Sequence, residues 1–334
     1  MLENRESTVR DFKIRSTDDG IHLEGSILWL DAHKTGDLSF LSTPATQKKF
    51  TGPQFIATEE TVKILQINRK NPKALICQYN HPFALGKLEI ELLPSGSSLG
   101  SALLYIKANN KEILYAPTLQ TQKINIVRKI QLRKADTLIL EAFHPNPSKT
   151  LPSRKKEKER LLDNLKLELS KGHCPHVYCN PTITAQEITE LLCGQNIPVT
   201  VHPYIYKVNK IYENSGSQLG PYQSKTITDK PHVKIFPHPF KKPPSRGQTE
   251  APFFVIDEKM DENLCDFNCL DDPTLNRYVL SPVCDLRDLK EVIQFVEPKE
   301  IFVFGPYAKR YVEDLTHLAL SVKVLNPNDQ PSLF

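Results

Sequence analysis

The stretch from Leu38 to Thr58, LSFLSTPATQKKFTGPQFIAT, constrains this chain more than any other. A short apolar run, Leu38-Ser39-Phe40-Leu41, gives way to a polar loop, and a second apolar segment, Phe55-Ile56-Ala57, runs directly into Thr58-Glu59-Glu60. Short apolar runs bounded by proline and glycine are strand signals, and a threonine ahead of two glutamates is a helix start. The frame is therefore strand, loop, strand, helix. Val62, Ile64, Leu65 and Ile67 give the predicted helix from Thr58 to Ile67 its apolar face. Upstream, VRDFKIRST, GIHLEG and SILWLDA alternate in β-like runs broken by Asp18-Asp19-Gly20 and Gly25, which predicts a hairpin-rich start. Ala74 to Tyr79 and Gly86 to Leu93 return to strand alternation.

The second half of the chain reads differently. NPSKTLPSRKKEK, from Asn146 to Lys158, is a basic, proline-punctuated loop leading into a helix from about Lys155 to Lys171, whose Leu161, Leu162, Leu165, Leu167 and Leu169 are expected to pack on a sheet. A strand at His176 to Cys179, a helix from Thr184 to Cys193 closed by Gly194, a strand at Val199 to His202 and a helix from Ile205 to Tyr212 follow. This alternation predicts a small parallel α/β unit. Ser215 to Glu250 is proline-, glycine- and lysine-rich around a strand-like HVKIF and reads as a long surface loop. Phe253 to Ile256 and Tyr278 to Ser281 read as strands returning the chain to its first part. A helix from Leu286 to Val296 started by Asp285, a strand at Ile301 to Phe304, a helix from Ala308 to Leu320 and a strand at Ser321 to Leu325 close it.

Five further stretches carry motif-like patterns: Leu93 to Ala102 (LPSGSSLGSA), Ile113 to Thr118 (ILYAPT), Asp136 to Phe143 (DTLILEAF), Tyr278 to Asp285 (YVLSPVCD) and Ile301 to Tyr307 (IFVFGPY). Together with Leu38 to Thr58 they resemble, in order, the motifs of the β-CASP branch of the metallo-β-lactamase superfamily, nucleases that trim DNA and RNA. The likeness is greatest to the bacterial ligase-associated, mRNA 3′-end processing factor-like exonucleases. It implies an α/β fold: an αββα metallo-β-lactamase sandwich formed by residues 1–151 and 253–334, with an inserted β-CASP α/β domain at 152–252.

The same resemblance implies a dinuclear metal site, and the residues at its positions are of the wrong kind. Ser42, Pro44, Thr46 and Gln47 stand where the family has His-x-His-x-Asp-His. Ser97 replaces the histidine of the Pro-x-Gly-His turn, Thr118 the metal-bridging aspartate, Val283 the histidine of Ser-Asp-His-Ala-Asp, and Gly305 the histidine of Thr-His-Gly-Tyr. Glu141 alone keeps the acid of its motif. Zinc needs imidazole, thiolate or carboxylate donors and, when catalytic, lowers the pKa of its bound water to about 7. Serine, threonine, proline, glutamine, valine and glycine supply none of those donors. The expectation is loss of metal-dependent hydrolysis, with no cofactor.

Other candidates are judged on their surroundings. His173-Cys174-Pro175-His176-Val177-Tyr178-Cys179 has metal-type donors at a spacing that matches no familiar zinc pattern, and Val177-Tyr178-Cys179 reads as a buried strand; Cys265 and Cys269 lie in a separate acidic loop. Cys77, Cys193 and Cys284 read as core residues, and seven cysteines without a secretory leader predict reduced thiols. His33, His81 and His144 read as loop or surface residues, and Glu141 with His144 is the remaining acid/base pair, with a structural role preferred. Lys241, Lys242 and Arg246 beside Phe240 can touch a phosphate backbone, although a solvated loop is the simpler reading.

A net charge of +4 is below the balance of a dedicated nucleic-acid binder, so charge alone decides no partner. No apolar run approaches the roughly eighteen residues of a membrane span, and MLENRESTVRDF lacks a signal-peptide core, so a cytoplasmic protein without membrane contact is expected. The leading expectation is a pseudo-nuclease: a non-catalytic binding subunit in nucleic-acid processing or DNA repair, whose partners are DNA or RNA and an active homologous nuclease or repair protein. One alternative is a nuclease with a displaced zinc or manganese site built on Glu141, Asp285 and nearby His or Cys. Another is an interaction module without nucleic-acid contact.

Overall fold

The computed structural model describes residues 12–34, 37–44, 50–68, 73–225, 230–238, 251–259, 276–316 and 321–325. Its first sheet has six strands in sequence order: β1 (Lys13–Thr17), β2 (Gly20–Glu24), β3 (Leu28–Leu30), β4 (Leu38–Phe40), β5 (Gln54–Ala57) and β6 (Ala74–Ile76). The first three are an antiparallel meander, and the pairs from β3 to β6 are parallel. Period-two alternation turns Ile14, Ile21 and Leu23 inward.

The second sheet is built from β7 (Phe83–Leu85), β8 (Leu88–Pro94), β9 (Ala102–Ala108), β10 (Lys111–Ala116), β11 (Thr137–Glu141), β17 (Glu300–Phe304) and β18 (Ser321–Val324). It is antiparallel from β7 to β10 and parallel from β10 through β11 and β17 to β18. The two sheets face each other across a continuous core in which Leu28, Leu30, Phe40 and Ile56 of the first meet Ile90, Leu104, Tyr115, Ile139 and Phe302 of the second. Helix α1 (Glu59–Gln66) covers the outside of the first sheet through Val62. Helices α5 (Leu286–Val296) and α6 (Ala308–Leu315) cover the outside of the second through Leu289, Val292, Ile293, Tyr311 and Leu315. The layers are thus helix, sheet, sheet, helices, and the central parallel strands β11 and β17 are buried on both faces, which is why they read as apolar runs.

A third, all-parallel sheet has the order β13 (Val199–Val201), β14 (Val233–Pro237), β12 (His176–Cys179), β15 (Phe253–Asp257), β16 (Asn276–Val279). Helices α2 (Arg154–Ser170), α3 (Thr184–Gly194) and α4 (Pro203–Asn214) pack on it through Leu161, Leu165, Ile188, Leu192 and Ile205. Here the structure corrects the sequence reading. The strands expected to return the chain to its first part are β15 and β16 of this third sheet, and HVKIF is the interior strand β14. Which sheet a parallel strand joins is decided by contacts far along the chain, so its own composition carries no signal of it.

Smaller differences have local causes. Leu167 is exposed on α2 because Leu161 and Leu165, four apart, already face the sheet. The turn after α3 is closed by Asn196 in the left-handed region at φ 56°, with Asn196 N–H donating to the Cys193 carbonyl, while Gly194 is still helical. Cys193 and Cys284 are buried as expected, whereas Cys77 is half-buried beside the edge strand β6. Helix starts agree closely: Thr58 caps α1 by accepting from Thr61 N, and Asp285 caps α5 by accepting from Asp288 N at 3.0 Å. No helix among the described residues is long and apolar enough to cross a membrane.

Candidate functional site

Parallel strands deliver their carboxyl ends to one side of a sheet, and in this molecule two facing sheets do so together. Ser42 lies two residues past β4, Thr118 two residues past β10, Glu141 ends β11, and Gly305 follows β17. All four line one cleft of about 560 Å³. Its remaining walls come from the β1–β2 turn, the segment after β3, and the rings of Phe50, Tyr115, Phe143 and Phe304.

Asp31 fixes the floor. It sits directly after β3 at φ 46°, a left-handed conformation that aspartate tolerates. One carboxylate oxygen accepts the Ser42 N–H at 2.8 Å and the other accepts the Tyr115 hydroxyl at 2.8 Å, so a single side chain ties the first sheet to the second. Burial pushes the Asp31 carboxyl up, against the pull of those two bonds.

Glu141 stands opposite. No described residue donates a hydrogen bond to its carboxylate. Burial, reinforced by the negative charge of Asp31 and opposed by Lys259, pushes its pKa up to about 7. The Thr118 hydroxyl oxygen is buried with no partner among the described residues. Lys259, two residues past β15, lays its ammonium 4.4 Å from the Phe143 ring centroid and 5.8 Å from that of Tyr307. Beside it, burial pushes the Glu258 carboxyl up to about 7, and one Glu258 oxygen is buried without a partner among the described residues.

Three of the described sequence-predicted positions lie elsewhere, Pro44 among them. Ser97 is buried in the 95–101 loop and Val283 is buried with its carbonyl 3.3 Å from His144 Nε2; neither lines the cleft. The 95–101 loop is held tightly: a Cβ on Gly96 would meet the Gln120 carbonyl at 2.2 Å, and one on Gly100 would meet Thr61 N at 2.6 Å. Thr43, on the cleft wall, accepts from Ser101 at 3.3 Å and so joins this loop to the cleft. Pro44 is buried beside Thr43, and Thr46, Gln47, Lys241, Lys242 and Arg246 lie outside the described residues. His144, expected at the surface, is 4% exposed, and burial lowers its pKa. His81 is exposed as expected, and His33 lines the rim of the cleft with Nε2 3.2 Å from Asp19.

Among the described residues no three His, Cys, Asp or Glu side chains form a metal-holding group. The cleft's donor set does not fit the dinuclear site that the family resemblance implies: both oxygens of Asp31 are engaged, His33 faces Asp19, and Ser42, Thr118 and Gly305 supply no ligand beside Glu141. Asp285, a ligand in the displaced-site reading, caps α5 and also accepts the Leu151 N–H at 3.1 Å. The His173–Cys179 cluster does not converge: His173 pairs with Glu168 at 2.7 Å, Cys174 Sγ lies 3.8 Å from His232, and Cys179 is buried. Cys265 and Cys269 lie outside the described residues.

Asp31, Tyr115, Glu258 and Lys259 escaped the sequence reading. Glu141 was found by resemblance to a family motif; Asp31 has no such motif, and its only local signal is an acid at the end of the apolar run SILWLDA.

No family model matches the chain. It is 21% identical over 329 residues to a "Probable DNA ligase" of Opitutus terrae, an alignment that covers 94% of this chain and 31% of that protein. It is 26% identical over 159 residues to "Uncharacterized protein sll0514" of Synechocystis sp., covering 43% of this chain and 28% of the other. The chain therefore spans about a third or less of the length of these relatives. A crystal structure of a protein of unknown function from Enterococcus faecalis V583 has the same fold, with a TM-score of 0.65 and 13% identity over 96% of this chain and 99% of that one.

Proposed function

We propose that the chain is a catalytically degenerate homologue of the β-CASP metallo-β-lactamase nucleases, serving as a non-catalytic binding subunit in nucleic-acid processing or DNA repair. One observation carries this reading: Ser42, Thr118, Glu141 and Gly305, spread over most of the sequence, meet in one cleft at the strand ends, and only one of the four can ligate a metal. In this reading the αββα layers are the metallo-β-lactamase sandwich and the third sheet is the β-CASP insertion. The DNA ligase relative supports a nucleic-acid setting. The displaced-site alternative has weaker support, because Asp285 is occupied with capping. In this reading Lys241, Lys242 and Arg246 are the candidate phosphate contacts, with a solvated loop as the simpler alternative.

The test is to mix the purified chain with short fluorescent DNA and RNA oligonucleotides in the presence of Mn²⁺ or Zn²⁺. The expected result is intact oligonucleotide together with an anisotropy rise that weakens steeply with salt, as counterion release requires. Cleavage that disappears in Glu141→Gln would overturn the proposal. Absence of any salt-sensitive binding would favour an interaction module instead.

A further inference from the structure

The cleft has the wrong charge for a phosphate and a suitable one for a cation. Its described lining carries Asp18, Asp19, Asp31 and Glu141 and no lysine or arginine. An anion entering without a bridging metal meets like charge at short range, in surroundings where such repulsion is poorly screened. The acceptors are not equally available. Asp19 faces His33, and both oxygens of Asp31 are taken by Ser42 and Tyr115. The Thr118 hydroxyl oxygen is buried without a hydrogen-bond partner among the described residues, no described residue donates to the Glu141 carboxylate, and both residues line the cleft.

The molecule itself indicates what this arrangement attracts. Lys259 reaches from the end of β15 to lie over Phe143, 4.4 Å from the centroid, close enough to Glu141 to stabilise its charged form. A carboxylate beside an aromatic face is the recurrent receptor for ammonium and guanidinium groups. We infer that the cleft is a binding site for a cationic group, the ammonium of a lysine side chain or a small amine, or a guanidinium, held by Glu141, Thr118 and the Phe143 ring, with Lys259, which lies over the same ring, as the chain's own competing cation. An ammonium brings three donors and a guanidinium five, which matches a wall with free acceptors. This inference stands on the cleft's own charge and does not require the chain to contact nucleic acid.

The test is calorimetric titration of the full chain at pH 8 with Nα-acetyl-lysine amide, Nα-acetyl-arginine amide, the uncharged isostere Nα-acetyl-norleucine amide, and inorganic phosphate. The cationic amides are expected to bind, and norleucine amide and phosphate are not. Glu141→Gln should weaken lysine amide at least about tenfold and Phe143→Leu about threefold, the scale of a lost charge-assisted bond and a lost cation–π contact. Lys259→Met should tighten it several-fold, because removing an internal competitor raises the fraction of binding-competent molecules. A methylammonium arm separates the sources: a lysine-containing tripeptide that binds more tightly assigns the site to a polypeptide side chain, and equal binding assigns it to a small amine. Equal binding of norleucine and lysine amides, or stronger binding of phosphate, overturns the inference. If Glu141→Gln fails to fold in a thermal melt, the Phe143 and Lys259 variants decide, and no change in either overturns it.

Discussion

Two recessed glutamates in this molecule have opposite surroundings. Glu187, on α3, is 2% exposed and receives Arg154 through Nε and Nη2 in a bidentate pair and Lys158 at 3.0 Å, while Nη1 of Arg154 donates to the Ser281 carbonyl. Burial alone would raise its pKa, but Arg154 first and Lys158 next hold it below the usual range. Glu141 has no such partner, and burial pushes it up to about 7. A buried acid with its cation in place is part of the scaffold. One that is recessed in a cleft with only the longer-range charge of Lys259 to oppose its burial, and no hydrogen-bonded cation among the described residues, is available for a further partner.

The comparison can be broken most directly at Glu187. Glu187→Gln leaves Arg154 buried beside a neutral group, and loss of one member of a buried pair costs about 3–5 kcal/mol. A urea-denaturation midpoint that hardly moves would remove Glu187 from the scaffold.

Glu141→Gln should act with the opposite sign. A carboxyl whose folded pKa lies above its unfolded value binds its proton more tightly in the native state, so the wild type loses stability as pH rises from about 4.5 to about 7. The glutamine variant escapes that loss. It should be more stable than wild type by about 1–3 kcal/mol at pH 8 and indistinguishable from it at pH 4. Glu187 gives the reverse profile, its contribution present above pH 4.5 and lost as pH falls through its lowered value. Denaturation curves at the two pH values therefore separate the acids by sign.

Asp31→Asn sharpens the picture with a smaller effect. It exchanges an acceptor for a donor against either Ser42 N or the Tyr115 hydroxyl, with an expected cost of about 1–2 kcal/mol. Because Asp31 also raises Glu141, the same change should lower the Glu141 pKa, measurable by carboxyl NMR titration. An unchanged Glu141 titration would separate the two groups.

What was legible in the sequence is what residues decide among near neighbours. Thr58 and Asp285 cap α1 and α5 as their own hydroxyl and carboxylate dictate, and Val292, Ile293 and Val296 lie on the buried stripe of α5. Of the described motif positions, Ser42, Thr118, Glu141 and Gly305 line one cleft, whereas Pro44, Ser97 and Val283 do not. The rest is non-local. The hydroxyl that engages Asp31 lies 84 residues away, the carbonyl that engages His144 lies 139 residues away, and β15 joined the third sheet by pairing with β12, with β16 added on β15. No local pattern in the chain encodes those meetings.

The central claim is that the strand-end cleft has lost its metal chemistry, and elemental analysis of the purified chain reads it most directly. Protein prepared without chelator and dialysed should carry near-zero zinc, manganese and iron per chain. Stoichiometric metal would contradict the account, and its loss in Glu141→Gln would locate the metal in the cleft.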